Sequence, residues 1–242
     1  MKTLMFSSRT LKEIIRDPIS LFFGLVFPII LLILLTLINN NIPTDIFDIN
    51  QLTPGIAVFG LSFMALFAGQ TIAKDRTSEF LTRLFTTPMK AKDFILGYTL
   101  PLIPMALLQT VLCFIVALFL GMTFNFFIIP TIFSLLPIGI VFISSGLLLG
   151  SVLSEKAVGV ICGALLTNVA AWFSGAWFSV ELVGGVFEKI AYALPFLHAV
   201  EMGRAVMTGQ FVDVLPHIWW VLGYAIGISI AAIYVFRKKM RL

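Results

Sequence analysis

Apolar residues fall along this chain in six long runs, at about 19–38, 52–73, 94–120, 128–153, 157–180 and 218–236, separated by short polar connections. A membrane-spanning helix needs about 20 mostly apolar residues. None of the six runs contains Asp, Glu, Lys or Arg. One such charge at a helix centre costs about 2.5–3.5 kcal/mol for insertion, so charge-free runs of this length predict spanning helices. The stretch from Glu181 to Pro216 is also rather apolar, but it carries Glu181, Glu188, Lys189, Glu201, Arg204 and Asp213 and is broken by Pro195. It predicts no seventh span. Two short amphipathic pieces, about 183–194 and 197–207, are expected to lie in the interface or to dip partway into the membrane.

Two polar segments carry helical patterns of their own. Over Leu4 to Arg16, Leu4, Leu11, Ile14 and Ile15 share one face, opposite Arg9, Lys12, Glu13 and Arg16. The step Asp17-Pro18 then stops this helix and opens the first turn of the next. An interfacial amphipathic helix, marked by Arg9, Lys12, Arg16 and Asp17, is therefore expected to bend into the first span. In the connection after the second span, Phe80, Leu81, Leu84 and Phe85 form one apolar face of a short helix, with Glu79 and Arg83 paired at i, i+4. Asp75, Thr77 or Ser78 can cap its start, and Pro88 limits its end. The cover for such a face is lipid, the protein's own helices or a second protein.

Composition agrees with the pattern: 60% of the 242 residues are hydrophobic and 12% charged, with a mean hydropathy of +1.06. Soluble domains are about 45–50% apolar and about 25% charged. The net charge of +4 would raise the question of nucleic acid in a soluble domain, but here basic residues gather in one set of loops. Fourteen Lys and Arg lie in the N-terminal segment, the second and fourth connections and the C-terminal tail, against Lys189 and Arg204 on the other side. The positive-inside bias places the first set, and both termini, in the cytoplasm. Cys113 and Cys162 both lie inside apolar runs, so neither a disulfide framework nor a thiolate metal site is readable. The first run is of full spanning length and ends in Asn39, Asn40 and Asn41 without a small-residue cleavage site, so it reads as a retained anchor.

The segment IAKDRTSEFLTRLFTTPMKAKDFILGY resembles the characteristic stretch of type-2 ABC transporter permeases. RDPISLFFGLVFPIILLILL resembles that family's first span, and GAWFSVELVGGVFEKIAYALPFLHAVEMGRAVMTGQ its fifth span and the segment before the sixth. This chain has Ser179 where many members place a proline after Gly-x-Trp-Phe. The resemblance implies an all-α permease without chemistry of its own, in a bacterial-type plasma membrane. It would pair with a second permease chain, taken as a second copy, and with two cytoplasmic ABC ATPase subunits that hold ATP and Mg. It further implies that the helix after the second span is the coupling helix, with Asp75, Arg76, Glu79, Phe80, Arg83, Leu84, Phe85, Thr87 and Pro88 at the ATPase. Independently of the resemblance, no G-x-x-x-x-G-K-[ST] is present and the loops are too short for an ATPase.

Polar and aromatic residues at membrane depth are candidates for a substrate path: Gln70, Gln109, Asn168, Trp172 and Phe173. Helix-to-helix glue is the competing role for the amides, and an interfacial belt for the aromatics. Two other function classes compete with this reading. A secondary transporter usually carries ionisable residues within its spans, and this chain has none there. An intramembrane enzyme needs a nucleophile elbow, a carboxylate pair or a histidine cluster, and none is readable around Ser174, His198 or His217. No catalytic or metal-binding residue and no chain-bound cofactor is expected. Lipid is the expected surrounding; the resemblance implies ATP-driven export, by alternating access, of a hydrophobic or amphipathic cargo out of the cytoplasm or inner leaflet, with the identity of that cargo left open.

Overall fold

A computed structural model describes residues 2–41, 47–78 and 91–239. Among these residues the chain is helical, with no strand and six helices long and apolar enough to cross a membrane. We number the helices α1 Lys2–Ile15, α2 Pro18–Asn39, α3 Ile49–Thr77, α4 Ala91–Phe119, α5 Ile128–Val152, α6 Glu155–Phe173, α7 Gly185–Ala193, α8 Pro195–Met207 and α9 Phe211–Lys239. The six spans are α2, α3, α4, α5, α6 and α9.

Helix α3 is the centre of the bundle and is almost entirely buried. It packs on α2, α4, α5, α6 and α8. Its approach to α5 is close because both helices offer small residues there. A Cβ added at Gly146 would lie 2.3 Å from the Ala65 carbonyl oxygen, and one at Gly150 2.5 Å from that of Gly69. Between helices in lipid, this close packing replaces the hydrophobic drive that water supplies elsewhere.

Helix α1 lies against the start of α4. The apolar spacing placed Leu4, Leu11, Ile14 and Ile15 on one face, yet Leu4 and Ile15 are exposed, while Phe6, Thr10 and Ile14 are buried. The helix is rotated because Gly97 leaves a seat for the Phe6 ring, which makes edge contacts with Phe94 and Tyr98. Phe6, Tyr98 and Phe236 belong to one buried cluster, so the start of α1 and the end of α9 lie at the same end of the bundle. Asp17 caps α2 by accepting from the Ile19 and Ser20 amides, with Pro18 in the first turn.

Two span ends differ from the sequence pattern. The fifth apolar run continues to residue 180, but α6 stops at Phe173. Gly175 turns the chain with φ of +67°, and the Trp177 indole donates to the Ala171 carbonyl at 2.8 Å, satisfying a free end of the helix. The sixth span starts at Phe211 rather than near residue 218, because Asp213 sits in the first turn, where a helix N-terminus favours an anion. The two short pieces before it are α7 and α8. Helix α8 is buried along nearly its whole length against α3, α9 and the start of α5, and Phe196 stacks on Phe142 with centroids 5.5 Å apart.

Candidate functional site

At the end of the bundle that holds α1, the last turn of α3 is tied to three other helices. The Asp75 carboxylate, 5% exposed, accepts from Arg9 Nη1 at 2.7 Å and Nη2 at 2.8 Å. It also accepts from the Tyr98 hydroxyl of α4 at 2.9 Å. Arg9 continues to Glu13 at 2.6 Å. Next to Asp75, the Arg76 guanidinium donates to the Ser151 carbonyl, and to the Leu153 carbonyl at 2.5 Å. These carbonyls end α5, where free acceptors and the negative end of the helix dipole favour a cation. Asp75 and Arg76 thus face into the protein and fix the point from which the following connection departs. Glu79, Phe80, Arg83, Leu84, Phe85, Thr87 and Pro88 lie outside the described residues.

Beside this cross-tie a cavity of ≈590 Å³ opens between α2, α3 and α6. Its apolar wall is made by Phe23 and Phe27 of α2 with Phe59 and Phe63 of α3. These four rings pack on one another, Phe23 on Phe63 at 5.9 Å and Phe59 on Phe63 at 5.6 Å between centroids. Opposite stand Gly159, Gly163 and Ala164 of α6, whose small side chains leave the space empty. Both π-helical turns among the described residues, Phe22–Val26 and Ile161–Leu166, border this cavity. Such turns break the regular α ladder and recur at functional sites. A smaller recess of ≈100 Å³ shares Asp17, Ser20, Gln70 and Glu155 with the cavity and adds Glu13 and Lys74. The cavity therefore has an apolar interior and a charged mouth at the end that carries α1.

The candidate path residues separate. Gln70 and Asn168 line the cavity. Asn168 donates to the Ala164 carbonyl at 2.8 Å and keeps its amide oxygen available. Gln109 does not reach the cavity: it is buried against Gly60, with its amide 3.3 Å from Cys113 Sγ, and joins helices. Trp172 is exposed on the outer face of α6. Phe173 stacks on Phe187 of α7 at 4.6 Å. Phe23, Phe27, Phe59 and Phe63 were not singled out from sequence, although each pair is spaced i, i+4 and so shares a helix face.

Two other features lie elsewhere. A larger recess of ≈780 Å³ follows the outer face of α9 along Pro216, Trp219, Trp220, Gly223, Tyr224 and Gly227. It is a shallow groove on a single helix, and its phenol is already engaged, since the Tyr224 hydroxyl donates to the Ala193 carbonyl at 2.7 Å. At the far end of the bundle, His198 and His217 pair through their Nδ1 atoms at 2.8 Å, while His198 Nε2 contacts the Tyr192 carbonyl at 2.9 Å. Burial, opposed by the Tyr192 carbonyl and reinforced by His217, holds His198 below its usual range. Among the described residues, no group of three or more His, Cys, Asp and Glu could hold a metal ion.

The family model described as ABC-2 type transporter matches residues 2–208. The proposed transport permease ycf38 of Porphyra purpurea is 30% identical over 119 residues, which cover 47% of this chain and 41% of that protein. Its counterpart of Pyropia yezoensis is 31% identical over 120 residues, with the same shares. The chain thus spans about two fifths of the length of the relatives it matches, 41% in each case. Proteins of this family usually work with a cytoplasmic ABC ATPase. A match over most of the chain, together with six helices among the described residues that are long and apolar enough to cross a membrane, makes this protein a member of the ABC-2 type transporter family.

Proposed function

We propose that the chain is the moving, membrane-embedded half of an ATP-driven exporter in a bacterial-type plasma membrane. Two copies would associate with two separate ATPase subunits, which hold ATP and Mg, and carry a hydrophobic or amphipathic substrate out of the cytoplasm or inner leaflet by alternating access. The observation that carries this reading is the cavity between α2, α3 and α6. At ≈590 Å³ it falls within the range of about 300–1,000 Å³ of small-molecule sites. Its mouth lies at the end that holds α1 and the departure of the connection after α3. The basic loops support placing that end in the cytoplasm, where an ATPase can reach residues 79–90. The cross-tie at Asp75 and Arg76 gives a docked ATPase a rigid lever on α1, α4 and α5. The two π-helical turns on the cavity wall give α2 and α6 the local freedom that opening and closing require.

The test is vectorial movement. Inverted vesicles holding the chain and a co-expressed ABC ATPase are offered rhodamine 6G, Nile red and 1-anilinonaphthalene-8-sulfonate, dyes of positive, neutral and negative charge. ATP-dependent accumulation of at least one dye, absent without the ATPase, is the expected result. Equal movement without the ATPase would refute the reading.

A further inference from the structure

The interior and the mouth of the α2–α3–α6 cavity differ in kind, and together they define the chemistry of what fits. The interior offers the faces and edges of Phe23, Phe27, Phe59 and Phe63. Aromatic faces accept apolar bodies, and they attract cations within about 6 Å of the ring. The mouth presents Glu13, Asp17 and Glu155 against a single lining cation, Lys74. Arg9 adds one positive charge nearby, but it is divided between Glu13 and the buried Asp75. The whole group then holds four carboxylates and two cations. Two helix N-termini, those of α2 and α6, also meet at the mouth. Each contributes about half a positive charge, which offsets only part of the excess.

The Asp17 carboxylate is held as an anion facing the recess. Burial works against the Asp17 charge, but hydrogen bonds from the Ser20 hydroxyl and from the Ser20 and Ile19 amides outweigh it and hold this carboxyl below its usual range. Glu155 lies in the first turn of α6 and is exposed. Between mouth and interior stands Gln70, which lines both spaces and makes no side-chain hydrogen bond among the described residues. Its amide oxygen, with that of Asn168, is an acceptor for a positively charged donor that has passed the mouth. The contrast with the surroundings is strong. Most of the chain's Lys and Arg lie in the segments on this same side, yet only Lys74 lines the entrance.

We propose that this cavity selects amphipathic cations: an apolar, aromatic-compatible body seated among the four phenylalanines, and a positive group held between Asp17, Glu155 and the Gln70 amide. This rests on the reading of the cavity as the substrate path, and it narrows that reading to one charge sign. Amphipathic anions meet an acidic entrance and are disfavoured.

Tetraphenylphosphonium and tetraphenylborate test the proposal, because they share one shape and carry opposite charge. Equilibrium binding of each is measured on the purified full-length chain, without ATPase. The variants are Glu155→Gln, Glu155→Lys and, as a control at the far end, Glu188→Gln. Each affinity is read as its ratio to the native chain, which cancels the ion's own partition into detergent. Screened Coulomb interaction over a few ångströms at a wet entrance gives the scale. Tetraphenylphosphonium affinity is expected to fall about threefold in Glu155→Gln and about tenfold in Glu155→Lys. Tetraphenylborate affinity should rise in the same order, and Glu188→Gln should change neither. Ratios that stay at one, or that move in the same direction for both ions, overturn the proposal. ATP-driven export of a neutral or anionic dye together with such flat ratios would sink the charge selection and leave the exporter reading standing. Charge-dependent binding in a chain that needs no ATPase for transport would do the reverse.

Discussion

Replacing Arg9 by Met isolates the ion pair between α1 and α3. The change keeps an apolar stem of similar length and removes the two donors that Asp75 accepts at 2.7 and 2.8 Å. Asp75, 5% exposed on its side chain, then keeps only the Tyr98 hydroxyl at 2.9 Å. Stranding one partner of a buried pair costs about 3–5 kcal/mol. Arg9 itself is 30% exposed, and water can reach part of the vacated space, so we expect about 2–4 kcal/mol. The loss is local, since α1 can undock while the spans stay inserted. Hydrogen exchange in detergent or nanodiscs is the assay: protection of the α1 amides should fall by about 30- to 1,000-fold, at 1.4 kcal/mol per tenfold. The paired change Arg9→Met with Asp75→Leu removes both charges together. Because an apolar pair in place of a buried ion pair is close to neutral, it should restore part of the protection, the remainder being the cost of the Tyr98 hydroxyl that loses its acceptor. Unchanged protection in Arg9→Met, or additive losses in the double variant, would refute the reasoning.

Other consequences follow from the same structure. Arg76→Gln strips the donors from the Ser151 and Leu153 carbonyls and should cost about 1–3 kcal/mol, read as faster exchange at the end of α5 and the start of α6. Gly150→Val drives a side chain into the Gly69 backbone and should lower the Tm markedly, by about 1–3 kcal/mol or more of stability. Gly223→Ala, whose added Cβ meets nothing within 4 Å, should leave it unchanged. His198 is held below its usual range by burial, so its neutral form stabilises the fold. That contribution is complete above the ordinary histidine value of about 6.5 and is lost as the pH falls through the lower folded value. Protection in α8 should therefore decline as the pH falls below the ordinary histidine value of about 6.5, and His198→Asn should weaken that dependence.

The six spans were legible because the absence of charge over a spanning length has one physical solution in lipid. Their ends were less so. Asp213 broke the apolar pattern ahead of α9 although a helix N-terminus accommodates it. The residues from Ser174 to Trp177 continued the apolar pattern of α6 although Gly175 turns the chain. The cavity was half legible. Gln70 and Gln109 are the same side chain at similar depth, and only the neighbours decide that one lines a space while the other fills the gap left by Gly60. The phenylalanine wall was hidden because every span is rich in large apolar residues, so a ring facing a cavity and one facing lipid carry the same sequence signal. Asp75 and Arg76 read as part of a docking helix, but their partners, Arg9, Tyr98 and the end of α5, lie 23 to 77 residues away, beyond the reach of local periodicity.

The central claim is that this chain receives its energy from a separate ATPase seated on the connection after α3. The most direct measurement is co-purification of an epitope-tagged chain with a co-expressed ABC ATPase, compared with the double variant Phe80→Asp, Leu84→Asp, with membrane insertion monitored for both. The account predicts that the native chain retains the ATPase and that the double variant inserts normally but loses it. A double variant that retains the ATPase as well as the native chain does would contradict the account.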